Sequence, residues 1–203
     1  MTLAVLFRDA ELAVVDKPSG LPVEADSAES VVAQAAKLLA PPGGRAWPRV
    51  VHRLDRGTSG CLLLALRKSS EQALLRSFDE GLIEKTYLAL VQGAPPDEGA
   101  FDTAYGPDPK DKRRYTTRLE TPRRARLSYT KVEQRGGTAL LRVVLDTGRT
   151  HQIRVQLSEA GFPVIGDETY GAPGERLMLH AAELSFPHPV TKERVLCSSP
   201  APF

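Results

Sequence analysis

The chain has 203 residues, of which 41% are hydrophobic and 26% are charged, a composition typical of a folded domain and unlike a coiled coil, a collagen or a disordered chain. No apolar run approaches the roughly 20 residues of a membrane helix, and the N-terminus shows no secretory leader. Two cysteines, Cys61 and Cys197, are too few for a disulfide framework and lack metal-ligand spacing. We therefore expect a cytoplasmic protein without cofactor, folded as a single domain over residues 1–203.

Short apolar runs and turn residues predict a mixed α/β or α+β domain. The first helix should run from a Ser30 cap to residue 40, and the second from Ser69 or Ser70 to a stop at Gly81. The third should occupy 150–160 with Thr150 as its cap. A final apolar stretch at 177–186 precedes a proline-rich tail. The predicted strands cover 12–15, 61–66, 86–91, 127–132 and 139–145.

The net charge of +2 conceals a basic segment, residues 110–126, which we expect to form a loop or an exposed hairpin. Its eight basic and two acidic side chains give it a charge of +6, which leaves −4 for the rest of the chain. A compact cationic stretch on a mildly acidic body suits a polyanion such as nucleic acid. A solvated loop, or an arginine-rich composition set by codon usage, explains the same charge, so both alternatives stay open here. The basic residues are Lys110, Lys112, Arg113, Arg114, Arg118, Arg123, Arg124 and Arg126.

Two polar stretches lie next to apolar ones and could carry chemistry. In the first, HRLDRGTSG at 52–60, Asp55 lies between Arg53 and Arg56 at the entrance to a buried strand. Flanking cations favour an ionised carboxylate, which suits a nucleophile or an electrostatic stabiliser better than a proton donor. An aspartate that caps the turn and pairs with a neighbouring arginine is the structural alternative. In the second, TGRTHQIR at 147–154, the polar side chains exceed what capping a helix requires, and the helix N-terminus favours an anion.

Other site chemistries lack their sequence patterns. The four histidines do not show the i, i+4 spacing of a helical zinc site, and no CxxC is present, so no metal is expected. GTSG at 57–60 is neither a GxSxG elbow nor a Walker loop, and no GxGxxG supports a dinucleotide site. Cys61 opens an apolar run and is expected to be a core residue and not a thiol nucleophile.

HRLDRGTSGCLLLAL at 52–66 closely resembles the catalytic motif of the RluA-type pseudouridine synthases. Other stretches match further motifs of that family in the family's order. They are KPSGLPV at 17–23, KTYLALV at 85–91, TGRTHQIRVQLSEAGFPVIGDETYG at 147–171, and LHA at 179–181 with FPHP at 186–189. The resemblance thus extends from about residue 17 to 189. It implies a mixed, largely antiparallel sheet flanked by helices, with Asp55 in a central cleft.

The resemblance also implies residue roles. Asp55 matches the essential aspartate, and Arg53 the arginine that enters the base stack when the target uridine is flipped out. Tyr87 matches the tyrosine that packs on the target base and is implicated in removing the proton from carbon 5. Arg154 matches the basic residue that pairs with the aspartate, and Ile153 its apolar neighbour. We expect further RNA contacts from His52, Arg149, Lys112, Arg113, Arg114, Arg123 and Arg124.

The implied reaction converts uridine into pseudouridine within structured RNA, ribosomal or transfer, without metal or cofactor. The N-glycosidic bond breaks, the base rotates and it rejoins the sugar through carbon 5. We expect a monomer with no obligate protein partner and no membrane association. We expect no S4-like domain ahead of the catalytic domain, although many members of the family carry one. Gly57 and Gln156 depart from the family pattern, which commonly has a larger residue and a histidine there.

Two rival functions remain. A catalytically silent RNA-binding relative would share the motifs, but such a relative should have lost at least one of Asp55, Tyr87 and Arg154, all of which are present. A nucleoside glycosylase would share the need for a carboxylate beside the sugar. It would also need a second carboxylate to activate water, and the sequence shows no obvious one paired with Asp55.

Overall fold

The computed structural model describes residues 3–25 and 29–203. The chain divides into two compact units. The first contains residues 1–85 and 181–202, and the second contains residues 86–180 together with residue 203. One catalytic domain over 1–203 stays a prediction.

The first unit is built on a sheet whose strand order is β1-β2-β4-β11, with β3 beside β4 and β12 beside β11. Strand β4 is buried at all seven positions, as expected for an apolar run without alternation. β2 pairs with both β1 and β4, each time antiparallel. The strands are β1 Ala4–Arg8, β2 Leu12–Lys17, β3 Arg49–Val50, β4 Ser59–Ala65, β11 Leu179–Pro187 and β12 Arg194–Ser198.

Two helices complete the first unit. Helix α1, Val31–Leu38, begins as predicted, with Ser30 Oγ accepting a hydrogen bond from the Ala33 amide at 3.2 Å. Helix α2, Lys68–Asp79, starts earlier than predicted, with Arg67 at the cap position and no side-chain cap bond. The prediction that Ser69 or Ser70 caps this helix is therefore wrong. Ser70 instead lies inside the first turn, where its hydroxyl donates to the Glu11 carboxylate.

The second unit contains a sheet of strand order β5-β10-β9-β6 and a separate two-stranded ribbon, β7-β8. The predicted hairpin is confirmed: β9 and β10 pair antiparallel, and Gly136 at φ 58° supplies the left-handed turn residue. Along β9, buried and exposed side chains alternate from residue 124 to 130, so one face of this strand is solvated. The strands are β5 Glu84–Gln92, β6 Glu98–Ala104, β7 Gly106–Pro107, β8 Tyr115–Thr116, β9 Arg124–Arg135 and β10 Thr138–Leu145.

Helix α3, Gln152–Glu159, is the helix of the second unit, and residues 152–157 are all buried. Its cap is His151 in the left-handed conformation, with φ 57° and no side-chain cap bond, so the prediction of a Thr150 cap is wrong. Gly161, with φ 91°, lies just beyond the end of the helix, as the sequence predicts. Since a non-glycine residue in this conformation is strained, the surroundings must hold His151 in place.

The mixed α/β class with a largely antiparallel sheet and few helices is confirmed. One apolar core in the first unit includes Leu63, Leu74 and Phe186, and a smaller one in the second unit is centred on Tyr105 and Val155. Within the described part of the chain, none of the helices is long and apolar enough to cross a membrane. Strands β1, β3, β6, β7 and β12 were not predicted, because they are very short, alternate weakly or lie in segments rich in proline and charge.

Gly60 is a position where only glycine fits. Its φ is 107°, and an added Cβ would lie 2.2 Å from the Ala181 carbonyl oxygen. We expect Gly60→Ala to lower the free energy of unfolding by about 2–5 kcal/mol, because backbone strain and overpacking add. The matched control is Gly81→Ala, which has φ 70° but nothing within 4 Å and should lose only the strain, about 1–2 kcal/mol. Urea unfolding of both variants measures the difference, and equal losses would contradict the contact.

Candidate functional site

Asp55 lies in the loop of residues 51–58, which connects β3 to β4. The Thr58 amide donates to the Asp55 carbonyl oxygen at 3.0 Å, which closes a tight turn around the aspartate. The Asp55 side chain is partly exposed and the neighbouring Arg53 side chain is exposed, whereas Leu54 is buried between them. The loop therefore presents the two polar side chains at the surface of the unit while Leu54 anchors it.

Lys17 ties this loop to the turn that follows β2. Its side chain is fully buried, and its Nζ donates to three carbonyl oxygens: Pro18 at 3.0 Å, Leu21 at 2.7 Å and Arg56 at 2.9 Å. Three acceptors match the three N–H groups of an ammonium, which offsets the cost of removing it from water. The KPSG turn is thus a structural support for the Asp55 loop. Sequence reasoning identified that turn as rigid but missed the role of Lys17.

Further hydrogen bonds join the same two segments. The Gly20 amide donates to the Arg56 carbonyl oxygen at 2.8 Å, and Ser19 Oγ donates to that of Gly57 at 2.6 Å. Arg56 Nε returns a hydrogen bond to the Gly20 carbonyl oxygen at 2.9 Å. These hydrogen bonds run both ways between the KPSG turn and the Asp55 loop, and so they hold the backbone next to Asp55 in place.

His52 anchors the start of the loop to β4. Its Nε2 lies 3.0 Å from the Leu63 amide and accepts that hydrogen bond, and its ring packs against Phe78 at 5.1 Å. Burial, and secondarily the charge of Lys85, lowers the pKa of His52 from 6.5 to about 3. His52 is therefore neutral near pH 7 and holds the loop. A direct contact with RNA stays a prediction.

Arg154 and Asp167 form a buried ion pair in the second unit. Arg154 Nε and Nη2 each donate to an Asp167 carboxylate oxygen at 2.8 Å, and the two side chains are 9% and 0% exposed. The Asp167 carboxylate also accepts from the Thr169 and Tyr170 amides at 3.0 Å each. Burial alone would raise the pKa of Asp167, but the hydrogen bonds and the charge of Arg154 hold it below its usual value. The two-pronged contact fixes the guanidinium plane.

Tyr170 lies at the centre of the contacts around the N-terminus of α3. Its hydroxyl accepts from the Tyr115 amide at 2.9 Å and lies 2.9 Å from His151 Nδ1. The guanidinium groups of Arg114 and Arg154 lie 5.1 and 5.2 Å from the centre of its ring. Tyr170 thereby supports the strained His151 and the helix start. Asp167 and Tyr170 both belong to the GDETYG stretch that the sequence analysis quoted without assigning roles to its residues.

The other predicted residues of this unit occupy distinct places. Tyr87 is buried on β5 opposite Val143 of β10, and Ile153 is buried at the start of α3. Arg149 is partly exposed, and its Nε donates to the Arg124 carbonyl oxygen at 3.2 Å. Gln156, one of the departures from the family pattern, is buried and donates to Thr103 Oγ1 at 2.8 Å and to a β9 carbonyl oxygen at 3.0 Å. That residue therefore has a structural role.

The basic segment is partly an exposed hairpin, as predicted, because its strand β8 pairs with β7, which precedes the segment, and the basic residues between the two strands are exposed. Some of its cations form ion pairs with carboxylates and others do not. Arg113 pairs with Asp111 at 3.3 Å, and Arg124 pairs with Asp102 at 2.8 Å. Lys112 and Arg123 are exposed, and among residues 3–25 and 29–203 no carboxylate pairs with either.

The predicted site residues are thus distributed over both units. His52, Arg53 and Asp55 share one loop of the first unit. Tyr87, Arg149, Ile153, Arg154 and the basic segment belong to the second unit. In the described residues, no three His, Cys, Asp or Glu side chains come close enough together to hold a metal ion.

Comparison with known proteins places these features in a family. Residues 11–159 match the family model described as RNA pseudouridylate synthase. The chain belongs to this family. It is 36% identical to the dual-specificity RNA pseudouridine synthase RluA of Escherichia coli, over 99% of this chain and 94% of that protein. The predicted RluA-type enzyme family is confirmed.

The chain covers very different shares of its other relatives. An uncharacterized RNA pseudouridine synthase of Chloroflexus aurantiacus is 41% identical over 72% of this chain but only 48% of its own length. One from Zymomonas mobilis is 36% identical over 98% of this chain and 93% of its own length. Among solved structures, human RNA pseudouridylate synthase domain containing 1 matches with a TM-score of 0.86 and 29% identity, over 100% of this chain and 84% of that one. The fold is therefore shared with pseudouridine synthases.

The low pKa of His52 predicts a pH-dependent stability. The folded state binds this proton only near pH 3, whereas the unfolded state binds it near 6.5, so stability is full above pH 6.5 and is lost as the pH falls toward 3. Between pH 7 and pH 5 we expect a loss of about 1–2 kcal/mol from His52. Urea unfolding of the wild type and of His52→Gln at both pH values measures it. Parallel pH slopes in the two proteins would contradict the neutral histidine.

Proposed function

We propose that this protein isomerises uridine to pseudouridine in structured RNA, with Asp55 as the catalytic carboxylate. The observation that carries the proposal is the Asp55 loop, which Lys17 and His52 hold from two sides while the aspartate stays partly exposed. Membership of the RNA pseudouridylate synthase family supports it. A carboxylate held in place and accessible to a ligand is what chemistry at a sugar carbon requires.

The reaction needs no net addition or loss of atoms. The bond between the sugar C1′ and N1 of uracil breaks, the base rotates, and C1′ bonds to C5. The C5 proton is released to solvent, and N1 takes up a proton. The Asp55 side chain either adds to the sugar or assists loss of a sugar proton, as carboxylates do at anomeric centres.

Other predicted residues receive proposed roles in the same reaction. Because the target base lies within folded RNA, flipping it out costs a few kcal/mol of unstacking. Arg53, exposed beside Asp55, is proposed to fill the vacated place in the stack. Tyr87 is proposed to pack on the flipped base, since base–aromatic stacking contributes about 1–3 kcal/mol. Arg154, beside Ile153, is proposed to act as the basic partner of the reaction, with its orientation set by Asp167.

The RNA substrate is proposed to be ribosomal or transfer RNA. One relative is named a dual-specificity RNA pseudouridine synthase, and another, from Neisseria meningitidis and 33% identical, a ribosomal large subunit pseudouridine synthase. Arg149 and the unpaired cations of the basic segment are proposed to contact phosphates, since a guanidinium or ammonium without a protein carboxylate can replace counterions on RNA. The protein is proposed to act in the cytoplasm as a monomer.

Replacing Asp55 tests the reaction. We expect Asp55→Asn to reduce tritium release from RNA labelled at C5 of uridine by at least about a hundredfold, since the amide can neither attack nor accept a proton. RNA affinity should stay within a few-fold. Asp79→Asn, an exposed aspartate of the same unit, is the charge-matched control and should keep full activity. Binding without release by the wild type would instead favour the silent RNA-binding relative, and release of free uracil the glycosylase.

The basic segment makes a second prediction about RNA binding. Lys112→Gln with Arg123→Gln removes two cations without carboxylate partners, and should reduce the slope of log affinity against log salt by about 1–2. Arg113→Gln with Arg124→Gln removes two ion-paired cations and should change the slope less. Filter binding to a structured RNA between 50 and 300 mM salt, about the range over which phosphate contacts are lost, compares the two. An unchanged slope in both variants would identify the basic segment as a solvated loop.

A further inference from the structure

Glu159, the last residue of α3, makes most of its contacts with the basic segment. Its Oε1 accepts from Thr116 Oγ1 at 2.6 Å, and its Oε2 accepts from the Thr117 amide at 3.0 Å and from the Thr117 hydroxyl. Arg118 Nε lies 3.9 Å from Oε1. One carboxylate therefore meets three consecutive residues, of which Thr116 is buried.

These contacts close one side of a small folded unit, which we call the basic hairpin and which spans residues 106–118. Its strands β7 and β8 pair through Gly106 with Thr116 and Pro107 with Tyr115. One residue before Thr116, the Tyr115 amide donates to the Tyr170 hydroxyl at 2.9 Å. The tip between the strands carries Lys110, Lys112, Arg113 and Arg114.

A hairpin of two-residue strands has little stability of its own. Its tip is polar and is held by local hydrogen bonds, such as the Asp108 amide to the Arg114 carbonyl oxygen at 2.9 Å, so contacts with the rest of the unit must add to its order. The Thr116 and Thr117 side chains and the Thr117 amide donate to Glu159, and Arg118 lies near the same carboxylate. Without that carboxylate, a buried hydroxyl and an amide would lose their acceptors and the hairpin would loosen.

We propose that Glu159 is a positioning residue for RNA binding. It fixes the basic hairpin on α3, so that the hairpin and its cations are ordered before RNA binds. This inference rests on the proposed function. Ordering a flexible segment on binding costs affinity, and a hairpin held in place avoids that cost. Glu159 is negatively charged and lies beside cationic residues, so its charge alone would lower the affinity for RNA.

Because Glu159 is negatively charged, its replacement separates an electrostatic effect from a positioning effect. Glu159→Gln removes a negative charge, so simple electrostatics predicts tighter RNA binding, whereas loss of the fixed hairpin predicts weaker binding. We expect about tenfold weaker affinity for structured RNA. The rise in KM for tritium release should exceed any fall in kcat. The matched control is Glu120→Gln, an exposed residue of the basic segment that loses the same charge but none of these contacts, and it should bind at least as tightly as the wild type.

Limited proteolysis without RNA tests whether Glu159 holds the basic hairpin in place. Trypsin cleaves after lysine and arginine, and the hairpin tip offers it Lys110, Lys112, Arg113 and Arg114. We expect Glu159→Gln, and Thr117→Ala as a second variant that removes one donor, to be cut there at least about tenfold faster than the wild type and Glu120→Gln. Thermal unfolding of each variant verifies that the protein as a whole remains folded.

The outcomes separate the inference from the proposed function. Faster cleavage with weaker binding supports the role of Glu159. Unchanged cleavage, or faster cleavage with unchanged or tighter binding, overturns it even if the wild type is fully active. If the wild type neither binds RNA nor releases tritium, the proposed function fails and the RNA-binding role of Glu159 fails with it, whereas the cleavage rates still decide whether Glu159 holds the hairpin.

Discussion

The candidate site of the first unit depends on the hydrogen bonds of the buried Lys17 ammonium. A lysine side chain with no exposure is tolerated because three carbonyl oxygens take up its three N–H groups. Two of those carbonyls belong to the KPSG turn and its continuation, and the third belongs to Arg56 of the Asp55 loop. A single charge thereby makes two separate sequence motifs into one rigid support, with His52 attaching the loop to β4.

The second unit uses the same principle with the opposite charge. Asp167 is a fully buried carboxylate whose hydrogen bonds come from Arg154 and from two backbone amides. Removing one partner of such a pair leaves a buried charge without compensation, so both residues are constrained together. The orientation of the Arg154 guanidinium is therefore set by Asp167 within the unit itself.

Cations that look alike in the sequence have different surroundings in the structure. Arg113 and Arg124 form ion pairs with nearby aspartates, whereas Lys112 and Arg123 have no such partner among the described residues. Glu159 is acidic and yet holds the hairpin that carries many of the positive charges. Counting charges along the chain therefore identifies a basic segment, but it does not identify which of its members are available to a polyanion.

The sequence by itself determined the family, the α/β class, the Ser30 cap and the β9–β10 hairpin, because motifs, apolar runs and turn glycines act over short distances. It also singled out Asp55 and Arg154. It placed two helix caps wrongly, since Ser70 hydrogen-bonds to Glu11 and His151 is held by Tyr170. Only the tertiary structure decided the roles of Lys17, Asp167 and Glu159. Each has at least one partner in another segment: Arg56 for Lys17, Arg154 for Asp167 and the strand β8 for Glu159. Hydrogen bonds between distant segments follow from how the backbone folds and not from the spacing of residues.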